Sequence, residues 1–352
     1  MNPRLKSVLR VSVSLLLAFL FLYLAFRGSD FDKLISSLKE ANYLWAFLLI
    51  PCLMISHLFR AWRWKYLVRP IKKNVSVRNL FSSLMVGYMV NNALPRVGEI
   101  VRCYNLGKLE RISMGSTLGT VLVERIIDIL SLLFLLTFVV LFYPSSLIDV
   151  FPWLKSAGII GALFVVLAFA VIGLMIAKRE HAFRWIRKFT GRLSARVSEK
   201  IERLLHSLLD GFLIIKEPRQ YSIIILLSIV IWFWYAVMAY LPFYAFGMAE
   251  RFHLDFVAGV VTVVISAIAF VIPAPGGTGS YHWLAKETLV RVFGVDAEVA
   301  LSYATVTHLL GFVSVSLVGF FYFLRDNLKF SEAIRSPAVD KTGIEFMPEE
   351  KV

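Results

Sequence analysis

Six runs of apolar residues, at roughly 8–26, 43–68, 117–142, 156–177, 221–247 and 297–324, punctuate the chain. Each is long enough to cross about 30 Å of hydrocarbon as an α-helix, which takes about 20 residues. Two more apolar stretches, 79–112 and 256–292, are broken in their middles by proline, glycine and polar residues. Irregular backbone at membrane depth is tolerated only where protein or a watery cavity satisfies its polar groups, so these two read as re-entrant helical hairpins. The pattern predicts an all-α polytopic membrane protein with about six full transmembrane helices and two such hairpins. Residues 181–215 follow a different rhythm. Ile186, Phe189, Leu193, Val197, Ile201 and Leu204 recur every three or four positions among Arg and Lys, the pattern of a basic amphipathic segment on a cytoplasmic membrane surface. Residues 331–352, with Pro337, Gly343 and Pro348, read as a flexible cytoplasmic tail behind a transmembrane domain of residues 1–330.

Composition supports the membrane reading. Hydrophobic residues make up 58% of the chain and charged residues 18%, against roughly 25% charged in ordinary soluble domains. A soluble fold has nowhere to bury that much apolar surface. The net charge of +14 then points to basic cytoplasmic loops, not to nucleic acid, and no nucleic-acid partner is expected. Arg4, Lys6 and Arg10 precede the first run without an acid. Arg69, Lys72, Lys73 and Arg78 follow the second, with Arg60, Arg63 and Lys65 just before them. The stretch 178–220 holds eleven basic residues against five acids, whereas 27–42 balances three against three. The positive-inside rule therefore places both termini, 69–116 and 178–220 in the cytoplasm. Trp62 and Trp64, with Tyr43 and Trp45, fit interfacial anchors, and Cys52 and Cys103 fit small packing residues.

The two hairpins are counterparts. Leu94-Pro95-Arg96-Val97-Gly98 parallels Ile272-Pro273-Ala274-Pro275-Gly276, and each lies between two spans of opposite direction. Interrupted segments at corresponding positions of two inverted halves point to a transporter's midplane site. Three polar constellations fall there. Asn91, Asn92, Arg96, Gly98, Glu99 and Arg102 surround the first break, with Glu99 and Arg102 three apart on one helix face. Glu124, Arg125 and Asp128 sit inside an apolar run, where charges are costly and face the bundle interior in pairs. Pro275, Gly276, Gly277, Thr278 and Gly279 make the second break, followed by His282. A helix N-terminus emerging from such a turn offers free N–H groups suited to a phosphate. Each constellation also has a purely structural reading: a surface turn, a self-neutralised helix clamp, or a tight re-entrant bend.

The sequence has no P-loop, no metal-ligand spacing, no nucleophile elbow and no aspartate-rich diphosphate motif, so neither catalysis nor a cofactor is expected. Two readings follow from the hairpins: a lipid translocase with a groove open to the bilayer, or a secondary transporter of a small soluble solute with a closed pocket. A membrane-embedded lipid-modifying enzyme ranks third.

The pieces Arg60-Ala61-Trp62-Arg63-Trp64, Leu94-Pro95-Arg96-Val97-Gly98-Glu99-Ile100-Val101-Arg102, Glu124-Arg125-Ile126-Ile127-Asp128 and Pro275-Gly276-Gly277-Thr278-Gly279 resemble the transmembrane region of lysylphosphatidylglycerol synthases and their stand-alone flippase-like relatives. The resemblance runs over about 5–330. It implies an integral inner-membrane protein that moves an anionic or modified lipid, such as an anionic phospholipid or a polyprenyl-phosphate-linked lipid, between leaflets. Arg96 and Arg102 would hold phosphate oxygens, Asn91 and Asn92 neutral headgroup parts, and Glu99, Glu124 and Asp128 would orient the arginines or bind a cationic headgroup. Many members carry Glu shortly after the glycines, where this chain has Tyr281-His282, which implies a different headgroup preference. The chain stops at Val352, before the soluble aminoacyl-transfer domain of full synthases, and is not expected to make lysylphosphatidylglycerol. A separate lipid-synthesising enzyme and a second copy of the chain are the remaining candidate partners.

Overall fold

The computed structural model describes residues 3–142, 146–177 and 218–328, and every regular element among them is helical. The segment 181–215 and the tail 331–352 lie outside the described residues. In chain order the helices are α1 (Pro3–Phe26), α2 (Phe31–Glu40), α3 (Tyr43–Phe47), α4 (Leu49–Val68), α5 (Val77–Ala93), α6 (Gly98–Glu110), α7 (Met114–Phe142), α8 (Ser146–Val150), α9 (Trp153–Ala177), α10 (Pro218–Ala245), α11 (Met248–Arg251), α12 (Phe256–Ile268), α13 (Ser280–Phe293) and α14 (Ala297–Arg325).

Tyr43–Val68, Arg219–Ala245 and Ala297–Arg325 are each long and apolar enough to cross a bilayer, and each leaves most of its surface outward. Leu16, Phe19, Leu163, Leu226, Leu317 and Phe321 are more than half exposed, the arrangement lipid requires and water would penalise. α1 and α2 qualify together as a fourth, but with an 88° bend between them. The sequence predicts a simple loop there. Gly28 adopts φ 74°, the Asp30 side chain accepts from the N–H groups of Asp32 and Lys33 to start α2, and the Lys286 ammonium donates to the Ala25 carbonyl at 2.6 Å. A cation on an orphan C-terminal carbonyl stabilises the end of α1. α7 and α9 carry the two remaining apolar runs, and Glu124, Arg125 and Asp128 break the apolar stretch of α7.

Both hairpins are present. α5 folds back on α6 across residues 94–97, and α12 on α13 across residues 269–279, which include short 3₁₀ turns at Ala269–Val271 and Pro275–Gly277. The packing repeats as the inverted halves require. α4–α5, α5–α6, α6–α7 and α4–α7 contacts match α10–α12, α12–α13, α13–α14 and α10–α14 contacts. Across the halves, α5–α14 corresponds to α7–α12, and α4 lies along its counterpart α10 in the most extensive contact among the described helices.

The connections sort to two sides. Lys72 pairs with Glu110 at 2.7 Å, and Lys108 donates to the Asn327 carbonyl at 2.8 Å, gathering the ends of α4, α6 and α14. At the other side the Asp30 N–H donates to Glu298, Asn42 N–H to the Ala245 carbonyl, and Arg251 pairs with Asp296. The first side is rich in Lys and Arg and the second mixed.

Candidate functional site

The helix spacing of α4 builds the site. Leu53, Ser56, His57, Arg60, Arg63, Trp64 and Leu67 are all buried and recur every three or four positions, so they share one face. That face meets α7, α6 and α10. Arg60 pairs with Asp128 and lies 3.7 Å from Glu124, and its other Nη donates to the Tyr88 hydroxyl at 2.5 Å. Arg63 donates to Asp128 at 2.5 Å and to Ser228 at 3.0 Å. Arg102, from α6, reaches Glu124 at 3.2 Å, and Arg125 reaches Glu124 at 2.9 Å and Asp128 at 3.7 Å. Four guanidiniums thus share two carboxylates. Glu124 begins ten residues into α7, which places the network roughly 15 Å along the helix from its end on the basic side.

Several donors in this network have no acceptor in the protein. Arg102 is 2% exposed, yet its Nε and one Nη find no acceptor within the protein, and the same holds for the Nε atoms of Arg60, Arg63 and Arg125. Both ring nitrogens of the buried His57 are also unpaired, with its ring 4.8 Å from that of Tyr88. Each unsatisfied buried donor costs about 1–3 kcal/mol. The Arg125 side chain is 35% exposed and Asp128 19%, so the cluster opens on their side.

This arrangement corrects two expectations. Arg60 and Arg63 are not topogenic loop charges but the centre of a buried network. Trp64 is not an interfacial anchor: it is fully buried, donates to Thr120 at 2.9 Å and stacks beneath Arg102, whose guanidinium lies 4.9 Å from its ring. Trp62, by contrast, is 44% exposed. A sequence signal for the missed arginines existed in their spacing with Ser56, His57 and Trp64 on a single helix face.

The first hairpin supplies Arg102 and spends its other polar residues on structure. The Asn91 side chain accepts from the Gly98 N–H at 2.7 Å, occupying the start of α6, and donates to Glu99 at 3.3 Å. Glu99 does not pair with Arg102, which turns to Glu124 instead. Asn92 donates to Ser316 at 3.0 Å and to the Phe312 carbonyl, tying the hairpin tip to α14. Gly98 allows α5 and α6 to touch: a Cβ there would collide with the Gly87 carbonyl and with Asn91. Arg96 is exposed, at φ 69°, away from the buried environment of Arg102.

The second break is a separate cluster. Gly279, at φ 83°, is buried against α1, where a Cβ would strike the Ala18 carbonyl and Leu22 N–H. Its own N–H donates to the His282 ring at 3.4 Å, and Ser280 donates to the Gly277 and Ala269 carbonyls. The start of α13 therefore faces protein rather than an open groove. His282 lies against His308, with ring centroids 4.7 Å apart, and His308 contacts the Gly276 carbonyl at 3.0 Å. Pro275 opens the 3₁₀ turn, and Thr278 is half-buried beside it. The two hairpin tips do meet: a Cβ on Gly276 would lie 3.2 Å from the Asn92 carbonyl oxygen of the side chain. Among the described residues no cluster of His, Cys, Asp and Glu could hold a metal ion. Cys52 and Cys103 are free and buried, as packing residues should be.

The fold and the network define a multi-pass α-helical integral membrane protein with an arginine-rich polar site enclosed by two hairpin-bearing halves. The chain belongs to the family of the lysylphosphatidylglycerol synthase transmembrane region, which matches residues 9–319. It is 29% identical over 283 residues to a UPF0104 membrane protein of Methanothermobacter thermautotrophicus, covering 73% of this chain and 78% of that one. A UPF0104 membrane protein of Methanocaldococcus jannaschii is 22% identical over 330 residues, covering 89% and 94%. No solved structure matches the chain.

Proposed function

We propose that the protein is a lipid translocase that carries an anionic phosphate headgroup past the arginine network while the tails stay in the bilayer. The observation that carries this reading is Arg102: a guanidinium buried in a membrane protein, with two nitrogens lacking acceptors, beside three more arginines. A charged headgroup crosses hydrocarbon slowly because desolvation without partners costs many kcal/mol. Preplaced guanidiniums, with paired donors that match phosphate oxygens, lower that cost. An open apolar surface groove of about 470 Å³ on α4, α5 and α14, lined by Met54, Ile55, Leu58, Val77, Phe81 and Tyr322 with the exposed Arg78, suits a lipid tail better than a soluble solute. Family membership supports a lipid-related role, and no chemical step at the site is part of this reading. The basic side of the protein is cytoplasmic, the protein resides in the cytoplasmic membrane, and both termini face the cytoplasm.

The test is purified protein in liposomes carrying a fluorescent phosphatidylglycerol, with the outer leaflet quenched by a membrane-impermeant reductant. The accessible fraction should rise well beyond that of protein-free vesicles. Equal kinetics with and without protein would exclude translocation of this lipid class.

A further inference from the structure

We infer that the network is matched to a dianionic phosphate, a phosphomonoester or diphosphate headgroup, in preference to the monoanionic phosphodiester of common phospholipids. The inference rests on the translocase reading for the identity of the ligand as a lipid, but its charge argument stands on the network alone. Arg60, Arg63, Arg102 and Arg125 contribute four positive charges, because guanidinium does not lose its proton in proteins. Glu124 and Asp128 contribute two negative charges and are the only carboxylates within ion-pair distance of those arginines among the described residues. Glu99 is the next acid along α6; it is half-buried, is held by Asn91, and pairs with none of the four. Among the described residues the network therefore carries two positive charges that no carboxylate compensates.

Uncompensated charge in a low-dielectric interior is expensive, and the ligand that removes the cost is one that brings the balancing charge. A dianion neutralises the cluster. A phosphodiester leaves one positive charge buried, and a zwitterionic headgroup leaves two. A lysyl-modified headgroup is a worse match, since its ammonium groups would add to the excess. The unpaired nitrogens are spread over all four arginines, and a terminal phosphate exposes more free oxygens to such donors than a bridging diester. Arg125 stands at the open side of the cluster, where the headgroup would enter.

The experiment uses the whole protein in liposomes at a pH where phosphatidate is fully ionised. It compares fluorescent phosphatidate, phosphatidylglycerol and phosphatidylcholine with the same chains, and in parallel measures thermal stabilisation of the detergent-purified protein by phosphatidate, phosphatidylglycerol and inorganic phosphate. Phosphatidate should move, and stabilise, about tenfold or more better than phosphatidylglycerol, the scale of one charge-assisted contact. Arg125→Gln removes one positive charge at the least buried position, and should lower the ratio of phosphatidate to phosphatidylglycerol transport about tenfold by slowing phosphatidate. Equal handling of phosphatidate and phosphatidylglycerol in both assays, or an unchanged ratio in a folded Arg125→Gln, would overturn the inference. If no lipid moves but phosphatidate and inorganic phosphate stabilise equally well and phosphatidylglycerol does not, the dianion match stands and the translocase reading falls.

Discussion

Asp128 is the residue on which the buried arginines depend most, because Arg60 and Arg63 both donate to it. Asp128→Asn would leave two guanidiniums deep in the protein with half their compensation. Breaking one partner of a buried pair costs about 3–5 kcal/mol. The variant should therefore be recovered in lower yield and melt well below the wild type in detergent, and an unchanged melting temperature would mean that the network contributes little to stability. Gly98 tests packing instead of charge. Gly98→Ala forces a methyl against the Gly87 carbonyl, and overpacking of this kind costs about 1–3 kcal/mol, measurable as a lowered melting temperature with the network chemistry untouched. At this scale the sequence was legible where a charge interrupted an apolar run, as at Glu124 and Asp128. It misled where charges lay near a run's end. Arg60 and Arg63 stand close to Arg69, Lys72 and Lys73, and hydropathy alone treats all of them as one basic loop. Only the fold of α6, α7 and α10 around α4 reveals that two of them point inward.

Helices and hairpins carry their own tests. Glu110 ends α6, outside the spanning segments. Burial alone would raise its carboxyl, but Lys72, Asn79 and the Ser76 N–H together hold it below the ordinary value of 4.5. A depressed carboxylate stabilises the fold above its unfolded pKa, and the contribution disappears as the pH falls through the lower folded value. Thermal stability should accordingly drop as the pH is taken from neutral to below 4.5, and Glu110→Gln should flatten that part of the profile while costing about 1–3 kcal/mol at neutral pH. The same pH slope in both proteins would assign the acid sensitivity elsewhere. The hairpin tips are tested by cysteines at 92 and 276, which should crosslink with a short oxidant-driven bridge, and failure to crosslink in folded protein would separate the two halves. Both hairpins and their correspondence were readable from Pro95, Gly98, Pro275 and Gly276. The bend after α1 was not, because the charged residues of α2 read as loop, and the turn is set by the Gly28 conformation, the Asp30 cap and Lys286, distant in sequence.

For the whole molecule, two sides and a polar centre must hold together. A cysteine at position 73, exposed in the loop before α5, should resist an impermeant reagent added to intact cells, whereas one at position 33, on the mixed-charge side, should label. Labelling at 73 and not at 33 would invert the molecule in the membrane. The all-helical membrane character and the paired hairpins were legible because the bilayer imposes them on the sequence, whereas a buried network is assembled from residues far apart in the chain. The network's role is tested most directly by the transport rate of folded Arg102 variants in liposomes, each first shown to melt as the wild type does. If Arg102 holds a lipid phosphate, Arg102→Gln should slow translocation of a labelled anionic lipid on the order of tenfold to a hundredfold, and Arg102→Lys, which keeps the charge but not the fork, should fall between. A folded Arg102→Gln that moves the lipid at the wild-type rate would contradict a headgroup path through this site.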